Sequence, residues 1–328
     1  MKFLAKFLIA GVLMVSISLM VLRFWPVSLA ESKLLVRIPP GASLRVAAQT
    51  LQEGGVGVPA WVISNVGRMA GLSTSIKAGS YEFDQGISLW GLLKKLSSGD
   101  TSQADLLIVE GATFREIRAR LDAQPSLQHL TKSMTNAEIM NRVGMPGQMP
   151  EGWFFPDTYR FDKQSDDLEI LIRANRSMQK QLDAVWAGRQ SGLPLKTPYE
   201  LLILASIVEK ETGAASDRAE IAGVFINRLR IGMRLQTDPT VIYGMGEKFD
   251  GNLRKGDLQR DTPHNTYTRS GLPPTPISMP GLASLQAAAH PAKTQALYFV
   301  ARGDGTSQFS ATLEAHNQAV NKFQRGQP

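Results

Sequence analysis

The sequence predicts an α+β protein with an N-terminal transmembrane helix, a small region of alternating strands and helices, and a larger mixed domain built around a buried helix. Three observations lead to this fold class. Short strand-like runs alternate with helical periodicity in the stretch that follows the N-terminal segment. Residues 197–213 read as a helix that is apolar on nearly every side, which is typical of the centre of a domain. The most hydrophobic run of the chain lies at its N-terminus.

The N-terminal run is long enough to cross a membrane. After Lys2 and Lys6, residues 7–22 contain two serines as their only polar side chains. With its apolar flank the run reaches about 20 residues, which span a hydrocarbon core of roughly 30 Å. We predict that residues 1–30 form a cytoplasmic tip and a single anchor in the inner cell membrane, with the rest of the chain periplasmic. A signal peptide cleaved after Ser28-Leu-Ala30 is the alternative.

Composition excludes several classes of protein. With 328 residues the chain has the length of about two domains and can bury real cores, so disorder is excluded as its main state. The absence of cysteine excludes a disulfide scaffold, a thiolate metal site and a cysteine nucleophile. Four scattered histidines show no metal-binding pattern, so neither a metal nor another cofactor is predicted. The net charge of +7 suits an acidic polymer or anionic lipid. Export disfavours nucleic acid as a partner.

A weak repeat organises the stretch after the anchor. A glycine is followed two residues later by Ser or Thr, three later by an apolar residue and ten later by Leu, and this pattern begins at Gly41, Gly86 and Gly111. The glycine allows a tight turn, and the hydroxyl can cap the helix that starts there. Each copy is therefore predicted as strand, turn and helix. The strand-like runs cover residues 34–38, 80–83 and 105–109.

The repeat has two interpretations. A generic connection between a strand and a helix explains it without any ligand. Residues 38–99 also loosely resemble LysM glycan-binding domains, which begin with a similar Gly-x-Ser/Thr-Leu and a short helix. We accordingly divide the exported part into a LysM-like region at 31–103, a connecting region of strand and helices at 104–150, and a catalytic domain at 151–328.

An aromatic segment follows at Glu151-Gly-Trp-Phe-Phe-Pro-Asp-Thr-Tyr159, with four aromatic residues among seven. Aromatic rings stack on the faces of sugar rings, so the segment could line a sugar subsite. A place in the core at a domain junction is the interpretation that we favour for most of these rings.

The ends of the buried helix are marked by local signals. Thr197 is suited to the N-cap, Pro198 to the first helical position, and Glu200 to the third position of a capping box. Gly213 stands where a left-handed residue usually ends a helix.

The last turn of this helix carries two carboxylates, Glu209 and Glu211. At about 100° per residue they point roughly 200° apart, so they cannot share one site. The side chains one turn before Glu211 are Val208 and Ile207, whereas a serine and an alanine precede Glu209. Burial and the negative end of the helix dipole both raise the pKa of a carboxyl group, which suits Glu211 to general acid catalysis. The alternative is an ion pair between Glu211 and Arg218 or Lys210.

Motifs spread over the whole chain resemble the endolytic murein transglycosylases, the MltG or YceG-like family. They are Ala205-Ser-Ile-Val-Glu-Lys-Glu-Thr212, the run from Val224 to Gly246 with Leu235-Gln-Thr-Asp-Pro-Thr240, Asn265-Thr-Tyr267, Gly271-Leu-Pro-Pro-Thr-Pro-Ile277, the aromatic segment, Ala288-Ala-His-Pro291, Leu297-Tyr-Phe-Val300 and Glu314-Ala-His-Asn317.

The resemblance implies a lytic transglycosylase that cuts peptidoglycan between N-acetylmuramic acid and N-acetylglucosamine and leaves 1,6-anhydro ends. It places the catalytic role on Glu211, first as general acid and then as general base, with Glu209 as the fallback. It further implies a terminator of nascent strands, with glycan strands as substrate and the cell-wall synthases, the penicillin-binding proteins, as partners.

Polar residues after the next helix, predicted over 217–231, are candidates for holding the sugar. They are Gln236, Asp238, Thr240, Asn265 and Tyr267. The last two lie in a proline-rich stretch, residues 260–281, that shows neither helical nor strand periodicity. Long irregular stretches inside a compact domain are usually functional or disordered. Because proline stiffens this one, we predict a fixed wall of the substrate cleft, with a plain surface connection as the alternative.

Two other functions stay open at this point. One is a non-enzymatic, membrane-anchored scaffold that binds peptidoglycan. The other is a muramidase of the same fold, in which Asp238 would position a water molecule as the second carboxylate.

Overall fold

The computed structural model describes residues 13–14, 20, 23–211, 214 and 216–325. These residues cluster into two compact units. The smaller unit comprises the chain up to residue 105 with 126–128 and 160–165, and the larger comprises 106–125, 129–159 and the chain from 166 onward. Both combine helices with two-stranded sheets, so the predicted α+β class is confirmed for the described residues.

The smaller unit has the order strand, helix, helix, strand, helix. Its elements are β1 (Lys33–Ile38), α1 (Leu44–Glu53), α2 (Ala60–Met69), β2 (Gly79–Asp84) and α3 (Leu89–Ser98). Strands β1 and β2 pair antiparallel, with Lys33 opposite Asp84 and Ile38 opposite Gly79. Alternate residues of β1 face a core that the leucines of α1 and α3 fill.

The predicted strand–turn–helix repeat is present at all three positions. Gly41, Gly86 and Gly111 adopt φ angles of +74°, +91° and +74°, which a side chain would strain. The hydroxyls of Ser43, Ser88 and Thr113 then accept hydrogen bonds from backbone N–H groups in the first helical turn, at 3.2–3.4 Å. These connections depend on neighbouring residues alone, which is why the sequence predicts them well.

The remaining elements follow in chain order. Two short strands, β3 (Gln103–Leu107) and β4 (Thr158–Asp162), pair with each other. The helices are α4 (Phe114–Asp122), α5 (Asn136–Arg142), α6 (Asp167–Ala187), α7 (Pro198–Glu211), α8 (Arg218–Arg230), α9 (Asp238–Met245), α10 (Lys255–Gln259), α11 (Leu282–Ala289) and α12 (Leu313–Gln324), with 3₁₀ turns at Leu130–Ser133 and Gly246–Lys248. Near the C-terminus, β5 (Tyr298–Ala301) and β6 (Ser307–Ser310) form an antiparallel hairpin.

Helix α7 is the centre of the larger unit. All eight residues from Leu201 to Val208 are buried, and α6, α8, α9 and α11 pack around them. A helix enclosed on every side gains its stability from burial rather than from an amphipathic face. This position explains the almost uninterrupted apolar run that the sequence shows here.

The division at 31–103, 104–150 and 151–328 stays a prediction, and most of the connecting region at 104–150 clusters with the larger unit. The reason is apolar packing, since the ring of Phe114 stacks on Phe154 with centroids 5.0 Å apart, and Ile117 and Leu121 are fully buried.

The anchor predicted at residues 1–30 stays a prediction, and its last residues are among those that the structure describes. Residues 26–30 belong to the smaller unit, where Leu29 is buried and Ser28 and Ala30 hydrogen-bond to the backbone of Gly57 and Gly55. The apolar run itself lies mostly at 1–12, 15–19 and 21–22, outside the described residues. Among the residues that are described, no helix has the length and hydropathy needed to span a membrane. The predicted helix end at Gly213 also lies outside the described residues.

Candidate active site

Helix α7 begins close to its predicted signals and places two carboxylates in its last turn. The Thr197 hydroxyl accepts a hydrogen bond from Glu200 N at 3.2 Å, and Pro198 is the first helical residue. The Glu200 carboxylate reaches back to Lys196 N, one residue before the N-cap, at 2.5 Å. The helix thus starts from a modified capping box and ends at Glu211.

Glu209 and Glu211 face different parts of the unit, as their spacing predicts. Glu209 accepts a hydrogen bond from Gly281 N at 2.9 Å and lies 3.9 Å from Arg218 Nη2. Its side chain is 7% exposed. Glu211 accepts a hydrogen bond from the hydroxyl of Thr237. Arg218 therefore pairs with Glu209, and the alternative of an Arg218–Glu211 ion pair is not what the structure shows.

The environment of Glu211 favours its protonated form. Burial raises the pKa of Glu211 to about 7, outweighing the hydrogen bond from Thr237, and the negative charge of Asp238 acts in the same direction as burial. The positive charge of Arg228 opposes them. A carboxyl group with a pKa near neutrality can both donate and accept a proton at physiological pH.

The direct partner of Glu211, Thr237, is absent from the residues that the sequence singles out, although both its neighbours are among them. Thr237 is 2% exposed, and its backbone N–H donates to the hydroxyl of Thr266 at 3.1 Å. The preceding residue, Gln236, donates its N–H to Thr266 O at 3.2 Å. These bonds fix the segment that carries Thr237 against the irregular stretch at 260–281.

Three of the five predicted sugar-binding residues are accessible near Glu211. Gln236 is exposed and has a φ of +48°, an unusual conformation for a residue other than glycine. Asp238 is exposed and accepts a hydrogen bond from the Tyr267 hydroxyl at 2.5 Å. Burial and this bond to Asp238 raise the pKa of Tyr267, so its hydroxyl stays protonated. A direct contact between these three residues and substrate stays a prediction.

The other two, Thr240 and Asn265, are fully buried, so the structure does not present them to a ligand. The Thr240 hydroxyl donates to Thr237 O at 2.7 Å. The Asn265 amide donates to the backbone carbonyls of Leu258 and Arg260 at 3.0 and 2.7 Å and accepts from Tyr267 N at 2.8 Å. Both side chains hold the backbone around the accessible residues.

Arg228 is a second residue that sequence reasoning missed. It is 7% exposed, and its guanidinium donates to Leu235 O at 2.6 Å and to Leu297 O at 2.7 Å. It therefore fixes the backbone two residues before Thr237 and brings a positive charge toward Glu211. The feature that identifies Arg228 is its burial together with hydrogen bonds to backbone carbonyls. This feature is visible in the structure and not in the sequence.

The irregular stretch at 260–281 is tied to α7 at several points. Ile277 N donates to the Ser206 hydroxyl at 3.0 Å, and the Ser278 hydroxyl donates to Ser206 O at 3.1 Å. Gly281 N is held by Glu209. Residues 276–280 are buried, which agrees with a fixed segment rather than a plain surface connection.

The aromatic segment lies mainly in the core, as favoured from the sequence. Trp153, Phe154 and Tyr159 are buried, and Trp153 stacks on Tyr199 with ring centroids 5.7 Å apart. The acidic residue that opens the segment, Glu151, is buried too, although sequence analysis gave it no role.

No group of three or more metal-ligating side chains occurs among residues 23–211, 214 and 216–325.

Comparison with known proteins places the chain in a family. Residues 36–322 match the YceG-like family. An endolytic murein transglycosylase of Bacillus subtilis is 34% identical over 88% of this chain and 84% of its own length. An endolytic murein transglycosylase of Streptococcus pneumoniae is 31% identical over 87% of this chain, which spans 57% of that relative. The crystal structure of a yceG-like protein from Listeria monocytogenes superposes with a TM-score of 0.55 at 32% identity, covering 88% of this chain and 98% of the other. With a family match over most of its length and relatives of this similarity, the chain belongs to the YceG-like family.

Proposed function

We propose that this protein is an endolytic murein transglycosylase that cuts peptidoglycan glycan strands internally and leaves 1,6-anhydro-N-acetylmuramic acid ends. The observation that carries the proposal is Glu211, a carboxyl group at the end of a buried helix whose pKa lies near 7. The names of the relatives from Bacillus subtilis and Streptococcus pneumoniae support the substrate class.

The reaction uses Glu211 twice. In its protonated form Glu211 donates a proton to the glycosidic oxygen, and the bond from that oxygen to C1 of N-acetylmuramic acid breaks. The resulting carboxylate then accepts the proton of the C6 hydroxyl of the same sugar, whose oxygen bonds to C1 and closes the anhydro ring. The proton returns to Glu211, and no water is consumed. A pKa near 7 suits both steps, because neither protonation state is strongly disfavoured.

The neighbours of Glu211 orient the carboxyl and the sugar. Thr237 donates to one carboxyl oxygen and so fixes the rotamer of Glu211, which leaves the other oxygen for the glycosidic bond. The positive charge of Arg228 stabilises the carboxylate formed after the first step. The exposed side chains of Gln236 and Asp238 hold the sugar so that its own C6 hydroxyl is the nearest nucleophile, an effect of proximity.

A second candidate reaction is supported by Asp238. This carboxylate is exposed, close enough to Glu211 to raise its pKa, and fixed by the Tyr267 hydroxyl at 2.5 Å. A hydrolase that uses two carboxylates would employ it to position a water molecule, as a muramidase does. The two reactions differ in what reaches C1, which is the sugar hydroxyl in one and water in the other.

The remaining parts of the proposal concern location and partners. We place the catalytic unit outside the cytoplasm on a single N-terminal anchor, beside the synthases that extend glycan strands, where cleavage would terminate a nascent strand. The first four elements of the smaller unit have the order strand, helix, helix, strand, and we propose that this unit binds glycan as LysM domains do.

Digestion of purified glycan strands in H₂¹⁸O tests the proposal. We expect new 1,6-anhydro ends without ¹⁸O by mass spectrometry. Reducing ends that carry one ¹⁸O for each cut would establish the muramidase instead. Binding of strands without any cleavage would establish the non-enzymatic scaffold.

A further inference from the structure

A groove of about 1420 Å³ lies in the larger unit and has no role in the reaction described above. Its lining includes Lys210 and Pro239, which directly adjoin Glu211 and Asp238 in the chain. The groove is thus lined by residues of the two helices, α7 and α9, that also carry Glu211 and Asp238. It follows α9, whose eight residues extend about 12 Å at 1.5 Å each, as far as Glu247 and Phe249.

The floor of the groove holds polar groups that are uncharged at pH 7 or have a pKa close to 7. Glu151 is 6% exposed and accepts hydrogen bonds from Phe114 N and the Tyr243 hydroxyl, both at 3.0 Å. Burial raises the pKa of Glu151 to about 7. The His264 ring packs edge-on against Tyr243, and burial lowers its pKa, so the ring is neutral at pH 7. Its Nε2 lies 2.9 Å from the hydroxyl of Thr275.

A carboxyl group has about four sites that can accept a hydrogen bond. In Glu151 the backbone of Phe114 and the hydroxyl of Tyr243 occupy one on each oxygen. No cation among the described residues lies within ion-pair distance of Glu151, and the more distant Arg115 compensates part of its charge. The group is therefore prepared to bond to an uncharged partner such as a hydroxyl.

The sides of the groove are apolar and its rim is charged. Met149, which is 55% exposed, and Phe249 supply apolar surface. At the rim, Arg115 and Glu247 lie 3.5 Å apart and are both largely exposed, and Lys210 adds a further positive charge. Flat apolar surface beside a few fixed polar groups is the usual construction of a site for a sugar ring.

We propose that this groove binds the glycan strand on one side of the bond that is cut, with sugar faces against Phe249 and Met149 and sugar hydroxyls toward Glu151. The inference rests on the proposed function and extends it. An enzyme that cuts inside a strand has to hold sugars on both sides of the bond, and a groove lined by the helices that carry Glu211 and Asp238 offers such a binding surface for several sugars.

Binding of an N-acetylglucosamine hexamer to the full-length Glu211→Gln protein tests this groove. Phe249→Ala in that background should weaken binding roughly 3- to 10-fold, which corresponds to the loss of one aromatic contact. Met149→Ala should weaken it at least about 2-fold, and this exposed side chain can be removed with little effect on folding. Leu313→Ala, which removes a half-exposed side chain of α12 away from the groove, should leave the affinity unchanged.

Unchanged affinity for the hexamer in both groove variants would overturn the inference. A competition experiment in which free stem peptide protects the groove residues and the hexamer does not would overturn it as well. Cleavage assays separate this failure from failure of the proposed function. With Glu211 intact, both groove variants should raise KM for long strands and still form anhydro ends. If the wild-type protein forms anhydro ends and the groove variants have an unchanged KM, the proposed role of the groove is rejected and the proposed function stands. A wild-type protein that cuts no strand would reject the function.

Discussion

Replacing Glu211 by glutamine should stabilise the protein at alkaline pH and not at acidic pH. Burial raises the pKa of this carboxyl from the ordinary 4.5 to about 7, so the folded protein holds the proton more tightly than the unfolded chain does. The free energy of unfolding that this tighter proton binding contributes is fully present below pH 4.5 and is lost as the pH rises to about 7. Glutamine cannot ionise and escapes this loss, while its carbonyl oxygen still accepts the Thr237 hydrogen bond.

The size of the effect follows from the two pKa values. At about 1.4 kcal/mol for each pKa unit, the change from 4.5 to about 7 corresponds to roughly 3 kcal/mol when Glu211 is fully ionised. Because the side chain is partly accessible to solvent, screening reduces the expected value to about 2 kcal/mol. For a unit of roughly 200 residues, this free energy raises the Tm by about 4–8 °C.

Thermal unfolding of Glu211→Gln and wild type at pH 5 and pH 8 measures this difference. We expect a Tm advantage of the variant at pH 8 that largely disappears at pH 5. Glu314→Gln, which changes an exposed carboxylate in the first turn of α12, serves as the control and should shift Tm by less than about 1 °C at either pH. An equal Tm change in Glu211→Gln at both pH values would refute the account of its environment.

Two further predictions concern the surroundings of Glu211. Thr237→Val removes a hydrogen bond that lowers the pKa of Glu211, so the alkaline limb of kcat/KM should move upward by roughly one pH unit; an unmoved limb would contradict the bond. Gly152→Ala should cost roughly 3 kcal/mol in urea unfolding, because φ is +84° and the new Cβ would lie 2.6 Å from Pro276, in the irregular stretch. Gly192→Ala is the matched control, with φ +76° and open space, and should cost about 1 kcal/mol; equal costs would show that the contact with Pro276 is unimportant.

The sequence predicts local features of this protein well. The three capped turns after Gly41, Gly86 and Gly111 depend on residues within five positions of each other, and the structure has all of them. The divergence of Glu209 and Glu211 follows from helical geometry alone. The choice of Glu211 over Glu209 as the catalytic residue stays a prediction, because the side chains one turn before both of them are buried alike.

The features that sequence analysis missed depend on contacts between distant parts of the chain. Thr237 meets Glu211 across 26 residues, and Tyr243 meets Glu151 across 92. Asn265 was a reasonable candidate for binding sugar because amides do so, but burial directs its hydrogen bonds to the backbone. Whether a polar side chain faces substrate or stabilises a loop is decided by packing, which residue type and spacing do not reveal.

The central claim is that one carboxylate, Glu211, carries out both proton transfers of a lytic cleavage. The most direct test is to count new 1,6-anhydro ends by mass spectrometry when purified glycan strands are treated with wild type, Glu211→Gln and Glu209→Gln. Glutamine at 209 can still accept the hydrogen bond of Gly281, so this variant is matched in position and chemistry. We predict anhydro ends from wild type and Glu209→Gln and none from Glu211→Gln. Anhydro ends from Glu211→Gln at the wild-type rate, or their loss in Glu209→Gln alone, would contradict the account.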